Sequence, residues 1–367
     1  MPEDVREMHG NHLALMIVLC LVHLLLVAGC TSVDRSTALP ITPKLVPTTE
    51  ELMQQLRVQY PAPGELVEVD GTRMHLRCEG TGSPTVVMEA GSGDCSLSWA
   101  LVQQNVSAFS RVCTYDRQGY AWSDPVPGPL TASNVTGRLH TLLSRANVSP
   151  PYVLVGHSLG GVYVCYYAHR YPGEVAGMVL VDPGSEWQMI RTGDNFAREQ
   201  KVAIGMKTSL LRGMGKEAAN GTFVKNLSLL QNYCNPKLPS YEYHAFQALW
   251  ATEPSFWEAC AVEGESGFSI WEEVSRENIT SIGNIPLIVV SSGQDMGFSA
   301  DPEKNRHANT VFRTLQKEMA AESLQGKYLI AADSSHYIQI DEPDLVTGAI
   351  RSVVNAIRKD SPLKAPA

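Results

Sequence analysis

The chain has 367 residues, 44% of them hydrophobic and 18% charged, so it can bury a sizeable core and is not a disordered chain. Its net charge of −9, with no Lys/Arg cluster to meet phosphates, excludes a nucleic-acid partner.

In chain order, residues 13–29 come first: an apolar run broken only by His23 and closed by Cys30. The run is near the lower limit of the ~17–25 residues that span a membrane and slightly long for a signal-peptide core. Val27-Ala28-Gly29-Cys30 resembles a lipoprotein signal, whereas Glu3, Asp4 and Glu7 against Arg6 alone lack the usual positive flank. A lipoprotein signal, a signal anchor and a cleaved signal stay open for residues 1–30, and each carries the rest of the chain outside the cytoplasm. Residues 31–58 are expected to form a tether, their first part being rich in Ser, Thr and Pro. Membrane contact is expected through the N-terminal segment only.

Six Asn-x-Ser/Thr sequons, at Asn105, Asn134, Asn147, Asn220, Asn226 and Asn278, agree with export. Outside the apolar segment, which holds Cys20 and Cys30, no cysteines show CxxC spacing, so zinc and redox motifs are absent. Cys113 and Cys165 fall in apolar stretches and read as buried thiols; Cys234 and Cys260 share one irregular region and are the candidate disulfide. Cys78 and Cys95 carry no assignment.

Beyond the tether, strand and helix signals alternate. Residues 65–69 and 74–77 flank Asp70-Gly71, a hairpin signature. A strand at 85–88 runs into Glu89-Ala90-Gly91-Ser92-Gly93, and a strand at 112–115 into Asp116-Arg117-Gln118-Gly119-Tyr120. A helical period covers 130–146; then come a strand at 152–155, a helix at 160–171 and a strand at 175–181 ending at Asp182-Pro183. Residues 184–283 are helix-rich and show no clear strand, as an insertion would. Strands at 286–290 and 327–331 and helices at 302–323 and 343–358 complete the pattern. The expected fold is α/β: a mainly parallel sheet covered by helices on both faces, formed by 59–183 and 284–360, with 184–283 as an inserted helical cap.

In such sheets reactive groups collect at the carboxyl ends of the strands. Gly156-His157-Ser158-Leu159-Gly160 follows one strand directly and precedes a helix directly, which places Ser158 on a sharp turn as a nucleophile. A serine hydroxyl needs a base, and His336, in the loop after the last strand, is the candidate. His157, His140 and His307 read as packing or surface residues, His157 with an oxyanion-loop role as the other option. The imidazole in turn needs an acid. Asp295, after the strand at 286–290, is expected to supply it, with Asp182 and Asp301 as alternatives. The oxyanion needs two N–H donors, expected from Leu159 and from Ser92 in the glycine-rich loop.

These residues, in the order Ser158, Asp295, His336, resemble the α/β-hydrolase superfamily over roughly residues 60–357. Asp116-Arg117-Gln118-Gly119-Tyr120-Ala121-Trp122-Ser123 is similar to the family's D-x-x-G-x-G-x-S stretch, with Ala121 in place of a glycine; Ser335-His336 stands for the frequent Gly-His, and Gly293-Gln294-Asp295 is one residue shorter than the family's usual G-x-x-D. The resemblance implies acyl chemistry on a small-molecule acyl substrate, since the dehalogenase and epoxide-hydrolase branches are known for an aspartate nucleophile in place of the serine, and it implies no metal or organic cofactor. It implies a serine-dependent carboxylic ester hydrolase, with acyltransferase, peptidase and inactive binding protein as the other options. Trp250, Trp257, Trp271, Phe246 and Phe256 are candidates either for an acyl pocket or for packing between cap helices.

Overall fold

The computed structural model describes residues 47–366. The apolar run and most of the tether lie outside the described residues; among the described ones no helix is long and apolar enough to cross a membrane. The end of the expected tether is not extended. Thr48 accepts the Glu51 N–H and Glu51 returns a bond to the Thr48 N–H, a capping box that starts helix α1 (Thr49–Gln59). Arg57 at its end donates to the Thr252 carbonyl at 2.7 Å.

Strands β1 (Glu65–Val69) and β2 (Thr72–Glu79) form the expected hairpin, with Asp70 and Gly71 both at positive φ (51° and 82°) as its tight turn requires. After β3 (Thr85–Glu89) come α2 (Ala100–Ser107), β4 (Val112–Tyr115), α3 (Ala132–Arg145), β5 (Tyr152–His157), α4 (Leu159–Arg170) and β6 (Val175–Val181). One eight-stranded sheet has the order β1-β2-β4-β3-β5-β6-β7-β8, where β7 is Leu287–Ser292 and β8 Gly326–Ala331. The hairpin pairs antiparallel with β4; all strands from β4 to β8 run parallel.

Alternation along these strands builds two cores. Val87, Leu154, Met178 and Val289 face α3, α4 and α9 (Pro302–Ala320), whereas Val86, Val153, Val179 and Ile288 face α2 and α11 (Pro343–Lys359); a four-residue helix α10 (Ile338–Asp341) precedes α11. Between β6 and β7 the chain is helical: α5 (Gln188–Thr192), α6 (Asp194–Ala219), two short 3-10 turns, α7 (Ser240–Thr252) and α8 (Pro254–Glu277). Trp250, Phe256 and Trp257 centre a core that this insertion shares with Leu97, Tyr120 and Ile340 outside it, Trp250 stacking on Phe256 at 4.1 Å between ring centroids.

The disulfide differs from the sequence expectation. Cys78 and Cys113 are bonded, and Cys234 and Cys260 are buried free thiols. The cause is register: Cys78 stands directly opposite Cys113 in the antiparallel β2–β4 pair, with Cα atoms 4.1 Å apart, the close spacing of a non-hydrogen-bonded pair. Cys165 is buried and free as expected.

Candidate active site

The carboxyl ends of β5, β6 and β8 assemble the site. At the end of β5 the chain reverses into α4 through Ser158, whose φ of 53° and ψ of −122° lie in a region that L-residues avoid. The flanking glycines make the turn possible. A Cβ on Gly156 would lie 2.5 Å from the Gly160 carbonyl oxygen, and one on Gly160 would lie 2.5 Å from that of Ala90. Leu159 is the first residue of α4, so its N–H has no partner within the helix.

His336, in the loop after β8, turns Nδ1 toward Asp182 Oδ2 at 2.7 Å. Asp182, at the end of β6, is fully buried, and its Oδ1 accepts from the Ser292 N–H and the Gln316 side-chain amide, each at 3.0 Å. Burial opposes ionisation of this carboxyl, but the bond to His336, that residue's charge and the two N–H donors outweigh it and hold Asp182 below its ordinary value. Asp182 therefore takes the place expected for Asp295. Gly293 and Gln294 are pinned by backbone bonds to Ala331 and Ser334, and the short loop delivers Asp295 to the surface, where it pairs with Arg313 on α9 at 2.7 Å. Asp301 caps α9 through the N–H groups of Glu303 and Lys304.

The loop after β3 passes against the serine. A Cβ on Gly91 would lie 3.2 Å from Ser158 Cβ and 2.7 Å from His157 Nδ1, so only glycine fits. Ser92, Ser158, Leu159 and His336 all line one cavity of about 460 Å³ beneath the cap. Of the five aromatic candidates, Trp250 and Trp271 line it, whereas Phe246, Phe256 and Trp257 are packed inside the cap. Phe268, Phe298 and Phe312 join the lining from α8, the loop before α9 and α9 itself.

A family model described as "alpha/beta hydrolase fold" matches residues 84–343, well over half of the chain. The chain belongs to the α/β-hydrolase fold family. The protein YqjL of Bacillus subtilis (strain 168) is 27% identical to this hydrolase over 287 residues, covering 78% of the chain and 89% of YqjL. A thermophilic esterase from Thermogutta terrifontis superposes with a TM-score of 0.56 at 19% identity, over 80% of the chain and 98% of the esterase. The enol-lactonase from Burkholderia xenovorans LB400 does so with 0.53 at 18% identity, over 79% and 100%. At these identities the two structures show the shared fold alone.

His157 has a supporting place in this α/β hydrolase. Its Nε2–H donates to the His336 carbonyl at 2.8 Å, fixing the loop that carries the imidazole, and its Nδ1 is buried without a partner. Burial first, and the neighbouring His336 second, push its pKa down from 6.5 to about 3. A depressed pKa means that the unfolded chain binds the proton more readily, so this contribution to stability is full above pH 6.5 and is lost as pH falls toward 3. Urea unfolding between those pH values is expected to show a slope about 1.4 kcal/mol per pH unit steeper for wild type than for His157→Gln. Parallel slopes for the two proteins would exclude a buried neutral imidazole.

His140 and His307 stay away from the site: His140 Nε2 meets Glu174 at 3.0 Å, and His307 sits on α9. Gln316 and Ser292, which seat Asp182, carry no local sequence signal. Arg117 and Glu263, buried against the glycine loop, had none beyond the position of Arg117 in the family-like stretch.

Proposed function

We propose that the protein hydrolyses carboxylic esters or related acyl bonds through an acyl-enzyme on Ser158. One observation carries this: the buried Asp182 carboxylate holds His336 at 2.7 Å, in the cavity that Ser158 also lines. In this scheme Asp182 fixes the His336 tautomer with the proton on Nδ1, leaving Nε2 free to take the Ser158 proton. The serine oxygen attacks the acyl carbon, and the N–H groups of Leu159 and Ser92 receive the oxyanion. His336 then protonates the leaving alcohol, and water, deprotonated by the same imidazole, releases the acid. The esterase and enol-lactonase that share the fold are named for ester and lactone chemistry, in keeping with this scheme.

The cavity volume falls in the range of small-ligand sites, ~300–1,000 Å³, and its aromatic wall suits an apolar acyl group. Along a series of p-nitrophenyl esters, kcat/KM is expected to rise by up to about fourfold per methylene while each added CH₂ is buried, then to fall once the chain outgrows the cavity. A series in which acetate is the best substrate contradicts an apolar acyl site.

The reaction is proposed to take place outside the cytoplasm. Supporting this are the apolar run at 13–29, the Cys78–Cys113 disulfide and the exposure of five of the six sequon asparagines, all but the half-buried Asn105. Attachment to a membrane through the N-terminal segment belongs to the same proposal.

A further inference from the structure

Against the glycine loop lies an ionic cluster that the reaction scheme does not use, one member of which, Glu263, also lines the cavity. Arg117, which follows β4, is 2% exposed and Glu263, on cap helix α8, is fully buried. The guanidinium contacts Glu89 Oε1 at 2.6 Å and Glu263 Oε1 at 2.9 Å. It also donates to two backbone carbonyls, those of Ala90 and Gly91, each at 2.7 Å. Glu263 Oε2 accepts from Arg117 at 3.1 Å, from the Tyr120 hydroxyl at 2.7 Å and from the Gly93 N–H at 3.2 Å.

The consequence follows from peptide planarity. In a trans peptide the C=O and the next N–H point in opposite directions. With the Gly91 carbonyl drawn onto Arg117, the Ser92 N–H of the same peptide is turned away from Arg117, and Ser92 lines the cavity with Ser158. Glu263 fixes the next N–H, that of Gly93, and so determines the plane on the other side of Ser92.

We infer that Arg117 and Glu263 are positioning residues that hold the Gly91–Ser92 peptide with its N–H toward the oxyanion, so that a cap residue takes part in building the oxyanion site. This rests on the reading of Ser158 as nucleophile. Because Glu263 belongs to the cap, the seating of α8 and the alignment of the Ser92 donor are one structural event. Glu89 is the second counter-ion of Arg117 and accepts from the Tyr115 hydroxyl, which leaves Glu263 as the partner that ties the cluster to the cap.

The test compares full-length wild type with Glu263→Gln and Arg117→Lys, each normalised to the fraction of chains whose Ser158 is labelled to completion by a fluorophosphonate. A purely structural role lowers the labelled fraction and leaves the turnover per labelled site unchanged. A positioning role lowers kcat per site for the best p-nitrophenyl ester about 10- to 100-fold, less than the loss of a whole oxyanion donor, with KM within about twofold. Inhibition by a trifluoromethyl ketone, whose adduct with the serine carries the oxyanion, is expected to weaken by the same factor. If wild type is active and labelled at Ser158 while Glu263→Gln keeps both kcat per site and ketone inhibition within about twofold, the inference is overturned and the serine mechanism stands. If Arg117→Lys does not fold, Glu263→Gln alone decides the matter. Absence of label on wild-type Ser158 overturns the mechanism itself and this inference with it.

Discussion

Ser158→Ala is expected to lower kcat/KM for the best ester by about 10⁴- to 10⁶-fold, at least about 5.5 kcal/mol of transition-state stabilisation. The loss is large because every later step passes through the oxygen that is removed; the oxyanion donors and the cavity can then only assist attack by water. Folding is expected to be untouched. The Ser158 side chain makes no capping bond to α4, and the positive φ of the turn is as accessible to alanine as to serine. Unfolding measured beside activity separates the two effects: a variant that retains more than about 1% of wild-type turnover contradicts Ser158 as nucleophile.

Asp182→Asn is expected to cost about 10⁴-fold in kcat, whereas Asp295→Asn leaves activity within about twofold. Asp182 receives three N–H donors, from Ser292, Gln316 and His336, and an asparagine side chain has only one oxygen to offer them. If the amide nitrogen faces His336, the imidazole must present an unprotonated Nδ1, which puts the proton on Nε2 and blocks general-base action toward Ser158. If it faces Ser292 and Gln316, two buried donors lose their acceptor and the His336 loop is unseated. Asp295 by contrast is 48% exposed in its side chain and pairs with Arg313 at the surface, an interaction worth no more than about 1 kcal/mol. Measured kcat for the two variants against the same ester decides the assignment; a reversed ranking contradicts it.

The difference between these two aspartates shows what the sequence carries and what it does not. The placement of Ser158 and Leu159 on a sharp turn was legible because a strand, a glycine-flanked turn and a helix follow one another within a few residues. That His336 would reach the cavity lined by Ser158 was legible from its place after the last strand. Which aspartate meets His336 depends on where β6, β7 and the β8 loop end relative to one another, and on a stretch of only two residues, Gly293 and Gln294, between the end of β7 and Asp295. Asp182-Pro183 reads locally as a turn; its place beside His336 comes from Gln316 on α9 and Ser292 on β7, each more than a hundred residues away. The disulfide was hidden for the same reason, since Cys78 and Cys113 meet only through the antiparallel register of β2 and β4. Helix α1 was within reach, because Thr48 and Glu51 carry the capping-box spacing, yet the Ser/Thr/Pro composition ahead of it suggested a tether. The β1–β2 hairpin, with its Asp70-Gly71 turn, needed no tertiary information at all.

The most direct test of the central claim is the rate and site of fluorophosphonate labelling, mapped by mass spectrometry of the peptide holding Gly156 to Gly161. The account predicts one adduct per chain, on Ser158, formed at a similar rate by wild type and Asp295→Asn. Labelling should be at least about a hundredfold slower in Asp182→Asn and absent in Ser158→Ala. An adduct on any other residue, or a labelling rate that depends on Asp295 and not on Asp182, would contradict it.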